Sequence, residues 1–471
     1  MWLITGCTLW HKNHPVDLEF IPDQYTNDYA VRDTFKALYQ INWWKTFEDT
    51  LLNRYFDTAF ESNYDLAQAA ARLDQFKARY RISRSSIFPG ISAGSAYQNP
   101  DLSNNSESNI PTQTEESYSS NLSMAYEIDF FGKLSTFRGA AYTDLLASQE
   151  DLHTFKLVFS GQLARMYFKI MELQQQVILI NKTISSLTDY LDLVTSRYNA
   201  GLVPSLEVYQ AETNLAKIRA AKQKVETAYL TAQNLFFTLL GEYPAHNQNV
   251  GAEPIDPVFP KINYEIPSDL LKRRPDIRSS YLRMKSADQL WASAVADRFP
   301  SIRFTTQGGA LNKEFIRSLN PDNFIWNAIG SVTLPLLEGG RRKAAADRSA
   351  AVYRELAAKY KSVVLNSFRE VEDALITIEK QRQYLEELTI QATAAENSLR
   401  VASDRYLRGL SQYLVLVTAQ TAHFNAETQL IAARRELMDA YISLSLSLGG
   451  NWNEKDATDR SNNNTKKVES P

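Results

Sequence analysis

The sequence predicts a mainly α-helical chain built as a tandem repeat, each repeat adding a pair of long amphipathic β-strands. Three observations predict it. The stretch Arg197-Tyr198-Asn199-Ala200-Gly201-Leu202 recurs as Arg405-Tyr406-Leu407-Arg408-Gly409-Leu410, each copy ending one helical pattern and opening another. Lys133 to Tyr198 and roughly 341–407 run without proline, with apolar residues three and four apart. Between the helical stretches stand segments that alternate apolar and polar with a period of two.

The first helical pattern begins with Trp43, Trp44, Phe47, Leu51 and Leu52 and continues through Leu66, Ala70, Leu73 and Phe76 to about Ser86, where Pro89 stops it. Strands follow at about 87–97 (Ile91, Ala93, Ser95, Tyr97) and 118–131. In the second, Tyr118, Ser120, Leu122, Met124, Tyr126, Ile128 and Phe130 share one face. The polar stretch between these strands reads as a surface loop. The helix from Lys133 would reach about 100 Å at 1.5 Å per residue, a coiled-coil-like length. After the Gly201 turn, a shorter helix runs to Leu240-Gly241. A proline-rich linker, 242–267, closes the first repeat, 43–241.

The second repeat, 268–452, retraces the first. Arg274-Pro275-Asp276-Ile277 answers Asn63-Tyr64-Asp65-Leu66, and Phe299-Pro300-Ser301-Ile302 answers Phe88-Pro89-Gly90-Ile91. Strands are expected at about 301–310 and 324–336, then a long helix, a turn at Gly409, and a return to Leu448-Gly449. Residues 8–42 read as an irregular arm, and 453–471 as a polar, disordered tail.

Composition narrows the function classes. The chain has 471 residues, 44% hydrophobic and 22% charged, with net charge −3, so no basic surplus suggests nucleic acid. No run of about 18 apolar residues exists, which removes a transmembrane helix but not a β-barrel. Four strands are too few to close a barrel, and strand edges cannot stand bare in lipid. The strands must then come from several chains, and three copies would give twelve, an even and ordinary number. A soluble sheet with one wet face stays open as the alternative. The five histidines, among them His153 and His423, have no metal-ligand spacing, and Gly339-Gly340-Arg341-Arg342-Lys343 lacks the Lys-Ser/Thr pair of a phosphate loop. No nucleophile, metal or cofactor constellation appears, so neither an enzyme nor a cofactor is expected.

The single cysteine, in Leu3-Ile4-Thr5-Gly6-Cys7, is placed like the acylated cysteine of a bacterial lipobox. Too few residues precede it for a signal peptide's apolar region, so residues 1–7 read as a truncated signal and lipobox. A free or buried cysteine is the alternative.

Taken together, these segments resemble the TolC-like outer-membrane factor family, in particular its OprM-like, or NodT, lipoprotein branch. The resemblance rests on Trp43-Trp44 with Phe47 and Asp49, Leu270-Leu271-Lys272-Arg273-Arg274-Pro275-Asp276-Ile277 and Ile128-Asp129-Phe130-Phe131-Gly132-Lys133. It rests also on Leu334-Pro335-Leu336-Leu337-Glu338-Gly339-Gly340-Arg341 and the two Arg-Tyr-x-x-Gly turns. It implies a homotrimer whose twelve-stranded barrel sits in outer-membrane lipid and continues into a long periplasmic α-helical barrel. Residues outside the repeats would form an equatorial belt. The implied partners are a periplasmic membrane-fusion (adaptor) protein and an inner-membrane RND-type pump. The implied function is a passive exit duct for drugs or other small solutes. Export of proteins by a type I system is the alternative, and a non-transporting coiled-coil protein a more distant one.

The same resemblance places the working parts near the repeated turn. Arg197, Tyr198, Arg405 and Tyr406 either hold the periplasmic end shut or simply pack and cap the turns. Leu414 falls at a hydrophobic constriction. Thr418, with Gln210 as its first-repeat equivalent, falls where some members carry an acidic pore ring, which puts such a ring in doubt here. Gly201, Leu202, Val203, Ser205, Gly409, Leu410 and Ser411 look like the adaptor-contact tips, with ordinary helix-hairpin chemistry, glycine turning left-handed, as the alternative or companion reading, and Cys7 like the lipid anchor.

Overall fold

A computed structural model describes residues 42–99, 116–244, 250 and 271–450. Cys7, nearly all of the arm, most of the linker and the tail lie outside the described residues.

The single helix expected from Trp43 to Ser86 is interrupted twice. Trp43–Phe47 is a 3-10 turn, and Glu48 adopts a left-handed φ of 55°. Asp49 then caps helix α1 (Thr50–Ser62), its carboxylate accepting from the amides of Leu51 and Leu52 at 2.9 Å each. Asn63 is extended and separates α1 from α2 (Tyr64–Ser85). Its side chain accepts from the Leu66 amide and donates to the Leu239 carbonyl, both at 2.9 Å. Asn63 thus serves two helix ends at once, which the periodicity does not reveal. Strands β1 (Gly90–Gln98) and β2 (Ser117–Ile128) follow, then α3 (Lys133–Asn199, 67 residues) and α4 (Ser205–Leu239). The second repeat supplies α5 (Pro275–Ala296), β3 (Ser301–Asn312), β4 (Ile325–Thr333), α6 (Arg341–Leu407, 67 residues) and α7 (Tyr413–Ser447).

Two expected strand ends fall short for local reasons. β2 stops at Ile128 because Asp129 turns to cap α3, accepting from Leu134 and Ser135 at 2.9 and 2.7 Å. β4 stops at Thr333, two residues before Pro335, which has no amide to continue a ladder.

The described residues fall into two compact units, one holding Ala71–Asp151 and Ile277–Val363, the other drawn from Phe20–Ala70, Leu152–Asp276 and Val364–Pro471. In the first, the strands form one antiparallel sheet in the order β1-β2-β3-β4. Its register sorts side chains by chemistry. Ile91, Ala93 and Tyr97 pair with Met124, Leu122 and Tyr118; Tyr126 and Ile128 pair with Phe304 and Ile302; Ile302 pairs with Val332. All these share one face, which carries no charged residue. The other face carries Ser119, Asn121, Ser123, Gln307 and Asn327, with Glu127 opposite Arg303. Every residue of β1 and β4 is exposed, so both sheet edges of the single chain are open. At the helix end of the sheet, Lys133 pairs with Glu127 and Asp297 (3.3 and 3.0 Å), and Arg342 with Asp297 and Glu338 (2.9 Å each).

At the opposite end, the β3–β4 connection makes one helical turn (Phe315–Ser318) and a 3-10 turn (Pro321–Asn323). It folds back onto the apolar face. Ser318 is fully buried with its Oγ 3.0 Å from Ser120 Oγ, and the Phe315 ring stands edge-on to Tyr118.

The core of the second unit is aromatic. Trp43, Trp44, Phe47 and Phe56 of the first repeat pack with Phe159, Tyr167, Phe168, Phe236 and Phe237. Trp43 Nε1 donates to Ser160 Oγ at 3.0 Å, and Tyr167 donates its hydroxyl to Asp49 at 2.7 Å. Both repeats use the same end-to-end joint. Asn63 meets the C-terminus of α4 at Leu239, and Arg274, before α5, donates to the Ser447 carbonyl of α7 at 3.0 Å. Arg274 is only 8% exposed and is held by Asp276 and Glu370, both at 2.7 Å; those carboxylates raise its pKa against the opposing effect of burial.

Candidate functional site

The two repeated turns have the same backbone. Gly201 and Gly409 take φ of +74° and +73°, the left-handed conformation that glycine adopts without cost. In each, the glycine amide bonds back to the tyrosine carbonyl, and the following leucine amide to the arginine carbonyl (Gly201 to Tyr198, Leu202 to Arg197; Gly409 to Tyr406, Leu410 to Arg405), at 2.8–2.9 Å. This is the Schellman ending, and it explains the Arg-Tyr-x-x-Gly-Leu spacing as local helix chemistry.

The side chains break that symmetry. Arg197 reaches across to the C-terminus of α6, donating to the carbonyls of Tyr406 (3.1 Å) and Leu407 (2.8 Å). These are among the last carbonyls of the helix, Tyr406's also accepting from the Gly409 amide, and a cation there is favoured by the helix dipole. Its guanidinium also lies 4.9 Å from the centre of the Tyr406 ring. Tyr406 is 1% exposed and donates to Glu207, in the first turn of α4, at 3.2 Å. Its ring meets that of fully buried Tyr413 edge-on at 5.4 Å. Burial and the Glu207 charge push the Tyr406 pKa up to about 12; burial chiefly does the same for Tyr413. Around them Val194, Ala211, Ala402, Leu416 and Ala419 form a closed apolar cluster, and Tyr190 hydrogen-bonds Ser403.

Of the four residues proposed to hold the end shut, the structure brings Arg197 and Tyr406 together. Their repeat partners Arg405 and Tyr198 stay outside this cluster, exposed on the surface of the single chain. Leu414 and Thr418 lie one turn apart on an exposed stripe of α7, Thr418 Oγ1 donating to the Leu414 carbonyl at 2.9 Å. Gln210 is half-buried on α4. At the tips, Gly201, Leu202, Ser205, Gly409 and Leu410 are exposed, Leu202 and Leu410 at 73% and 64%. Val203 packs against the tip cluster, and Ser411 is half-buried with its Oγ unpartnered among the described residues. Cys7 lies outside the described residues. Sequence reasoning missed Glu207, Tyr190, Ser403 and Tyr413. A signal for one existed: Tyr190 precedes Arg197 by one heptad, on the same helix face. Glu207 carries no such mark, since it meets Tyr406 only through the packing of α4 and α6.

A second charge cluster, centred on one buried carboxylate, lies between α3 and α7. Glu172, 6% exposed, accepts from Lys169 (2.8 Å) and Gln176 (2.9 Å), and its carboxylate lies 2.8 Å from the Arg435 Nε. Arg435 also pairs with Asp439, whose pKa is raised chiefly by burial. Among the described residues, no group of His, Cys, Asp and Glu is arranged to hold a metal ion, and no helix is long and apolar enough to cross a membrane.

Comparison with known proteins identifies the class. The outer membrane efflux protein family model matches residues 56–242 and 266–450, and the chain belongs to that family. It is 28% identical over 420 residues to the toluene efflux pump outer membrane protein TtgF of Pseudomonas putida, spanning 88% of this chain and 86% of TtgF. It is 28% identical over 425 residues to the pyoverdine export outer membrane protein OpmQ of Pseudomonas putida, spanning 88% and 89%. Among solved structures, the open-state MtrE outer membrane channel of Neisseria gonorrhoeae shares the fold with a TM-score of 0.81 at 23% identity, over 93% of this chain and 97% of that one. The chain is therefore an outer-membrane efflux channel protein, an exit duct that carries out no covalent chemistry.

Proposed function

We propose that three copies of this chain assemble into a twelve-stranded barrel continuous with a periplasmic helical tunnel. This trimer would be the exit duct of a tripartite pump, receiving small solutes from an adaptor protein and an inner-membrane RND-type pump. The observation that carries this is the sheet. Both of its edges are open, one face is apolar and uncharged, and the other holds the Glu127–Arg303 pair. Lipid tolerates such a sheet only if neighbouring copies pair its edges. Aromatic residues mark both ends of the apolar face, Tyr97 with Tyr118 and Tyr126 with Phe304, where interfacial girdles belong. In this reading the two 67-residue helices would each extend about 100 Å into the periplasm.

The cluster at the repeated turns is the latch of the closed end. Arg197 and Tyr406 join repeat to repeat, and Leu414 and Thr418 line the narrowing beside them. Gly201, Leu202, Val203, Ser205, Gly409, Leu410 and Ser411 meet the adaptor. Solute movement is passive, and opening shifts a closed-to-open balance biased by adaptor contacts. Cys7 anchors the chain through acylation. Small organic solutes are favoured over proteins as cargo because TtgF and OpmQ are named for toluene and pyoverdine. The test is purification from the outer membrane, with heat-modifiable mobility for the trimer and planar-bilayer conductance for the duct. A monomer without conductance would overturn the reading. A deletion strain that loses a secreted protein while keeping its solvent and drug tolerance would point to protein export instead.

A further inference from the structure

The apolar face of the sheet is not uniform. Under the β3–β4 connection the face carries small side chains, Ala93, Ser95, Ser120, Gly308 and Ala310. Gly308 has a specific reason to be glycine, because a Cβ there would collide with the Trp326 ring laid across it from β4. Phe324 stacks on Trp326 at 6.1 Å. The result is a cleft of about 540 Å³ with Leu122, Leu319, Pro321, Phe324 and Trp326 as apolar walls and Ser95, Ser120 and Asn121 as the polar part of its lining. That volume falls within the range of about 300–1,000 Å³ that holds drug-sized ligands. Two of its walls remain open in the single chain, Leu319 at 51% and Trp326 at 60% exposure. Apolar walls of this size favour an apolar occupant over water.

We propose that this cleft binds one acyl chain of an outer-leaflet lipid, lipid A. Position selects the occupant. The cleft opens on the uncharged face, which continues into the lipid-facing surface of the barrel. It runs from the middle of the sheet to the end away from the long helices, and so across the outer-leaflet half of the bilayer. The inference rests on the barrel reading above. The β3–β4 connection is then a cuff against the outside of the barrel, not a lid over its mouth.

The test is native mass spectrometry of the full-length protein, extracted from the outer membrane in mild detergent and reading non-covalent lipid A per protomer. Wild type is expected to retain it. Ala93→Phe, which fills the cleft, and Leu319→Gln, which makes a wall polar, are each expected to lower retention roughly tenfold. Val332→Phe, on the same face outside the cleft, is expected to retain it as wild type does. Intact trimers with wild-type conductance establish that each variant has folded. Equal retention in Ala93→Phe and Leu319→Gln, no retention by wild-type trimers, or retention of phospholipid alone each overturns the proposal. Those outcomes leave the duct standing, whereas absence of trimers and conductance in wild type removes the barrel reading itself.

Discussion

Replacing Arg197 with alanine tests the latch most sharply. Arg197 makes two hydrogen bonds to the last carbonyls of α6, at 3.1 and 2.8 Å, from a partly exposed position. After solvent screening each is worth about 1 kcal/mol. Stacking over Tyr406 adds about 0.5–1 kcal/mol at such a site, and the charge at a helix C-terminus about 0.3–1 kcal/mol. Allowing for overlap, loss of the side chain weakens the closed tip by about 2–3 kcal/mol per protomer. Since about 1.4 kcal/mol is tenfold, opening should rise by roughly thirtyfold or more. The assay is closed-state conductance in planar bilayers, read beside Arg405→Ala. The second arginine has the same sequence context but lies exposed outside the tip cluster, so its loss should stay within about 0.5 kcal/mol. Arg197→Lys, which keeps charge but loses the planar fork, should fall between. Equal conductance in Arg197→Ala and wild type, with trimers intact, would refute the latch; so would equal effects of the two arginines, since the argument depends on their inequality.

Other expectations follow from the same geometry. Tyr406→Phe keeps the buried ring and loses only the bond to Glu207, costing about 1 kcal/mol, whereas Tyr406→Ala opens a cavity worth about 3–5 kcal/mol; thermal melts should separate them. The Tyr406 pKa, pushed up from 10.0 to about 12, is higher folded than unfolded. Its contribution is therefore complete below pH 10 and is lost as pH climbs from about 10 to about 12. Hydrogen exchange at the tip should rise across that window, and Tyr406→Phe should flatten the response. Gly201→Ala and Gly409→Ala meet nothing within 4 Å, so each should cost only the left-handed backbone strain of about 1–2 kcal/mol, with asparagine tolerated better; equal melting of the Ala and Asn variants would count against that cause. Glu172→Ala removes the buried carboxylate that accepts from Lys169, Gln176 and Arg435, but Lys169 is partly exposed and Arg435 keeps Asp439, so the cost should be about 1.5–3 kcal/mol, seen as a lower melting temperature in chemically intact trimers.

Much of the architecture is legible in the sequence because it is written in periods. The shift from spacing of three and four to spacing of two at Tyr118, and back at Lys133, reflects side chains pointing around a helix or alternating across a strand. Glycine before leucine in the repeated turns is equally local, since a left-handed residue is needed wherever a helix ends in a Schellman motif. Asn63 shows where such reading stops. Its neighbours continue a helical pattern, and the break rests both on its local cap of the Leu66 amide and on the Leu239 carbonyl arriving from α4, which periodicity does not show.

The sequence by itself determined the duplication, the strand pairs, the long helices and the place of the turns, because each depends on residues within a few positions of one another. Only the tertiary structure decided which copy of the turn does what. Arg197 and Arg405 stand in the same motif, as do Tyr198 and Tyr406, yet one arginine bridges to α6 and one tyrosine is buried. A hydrogen bond needs its partner within about 3 Å, and the partners of Arg197 and Tyr406 are brought there by α6 and α4, from the far side of the chain.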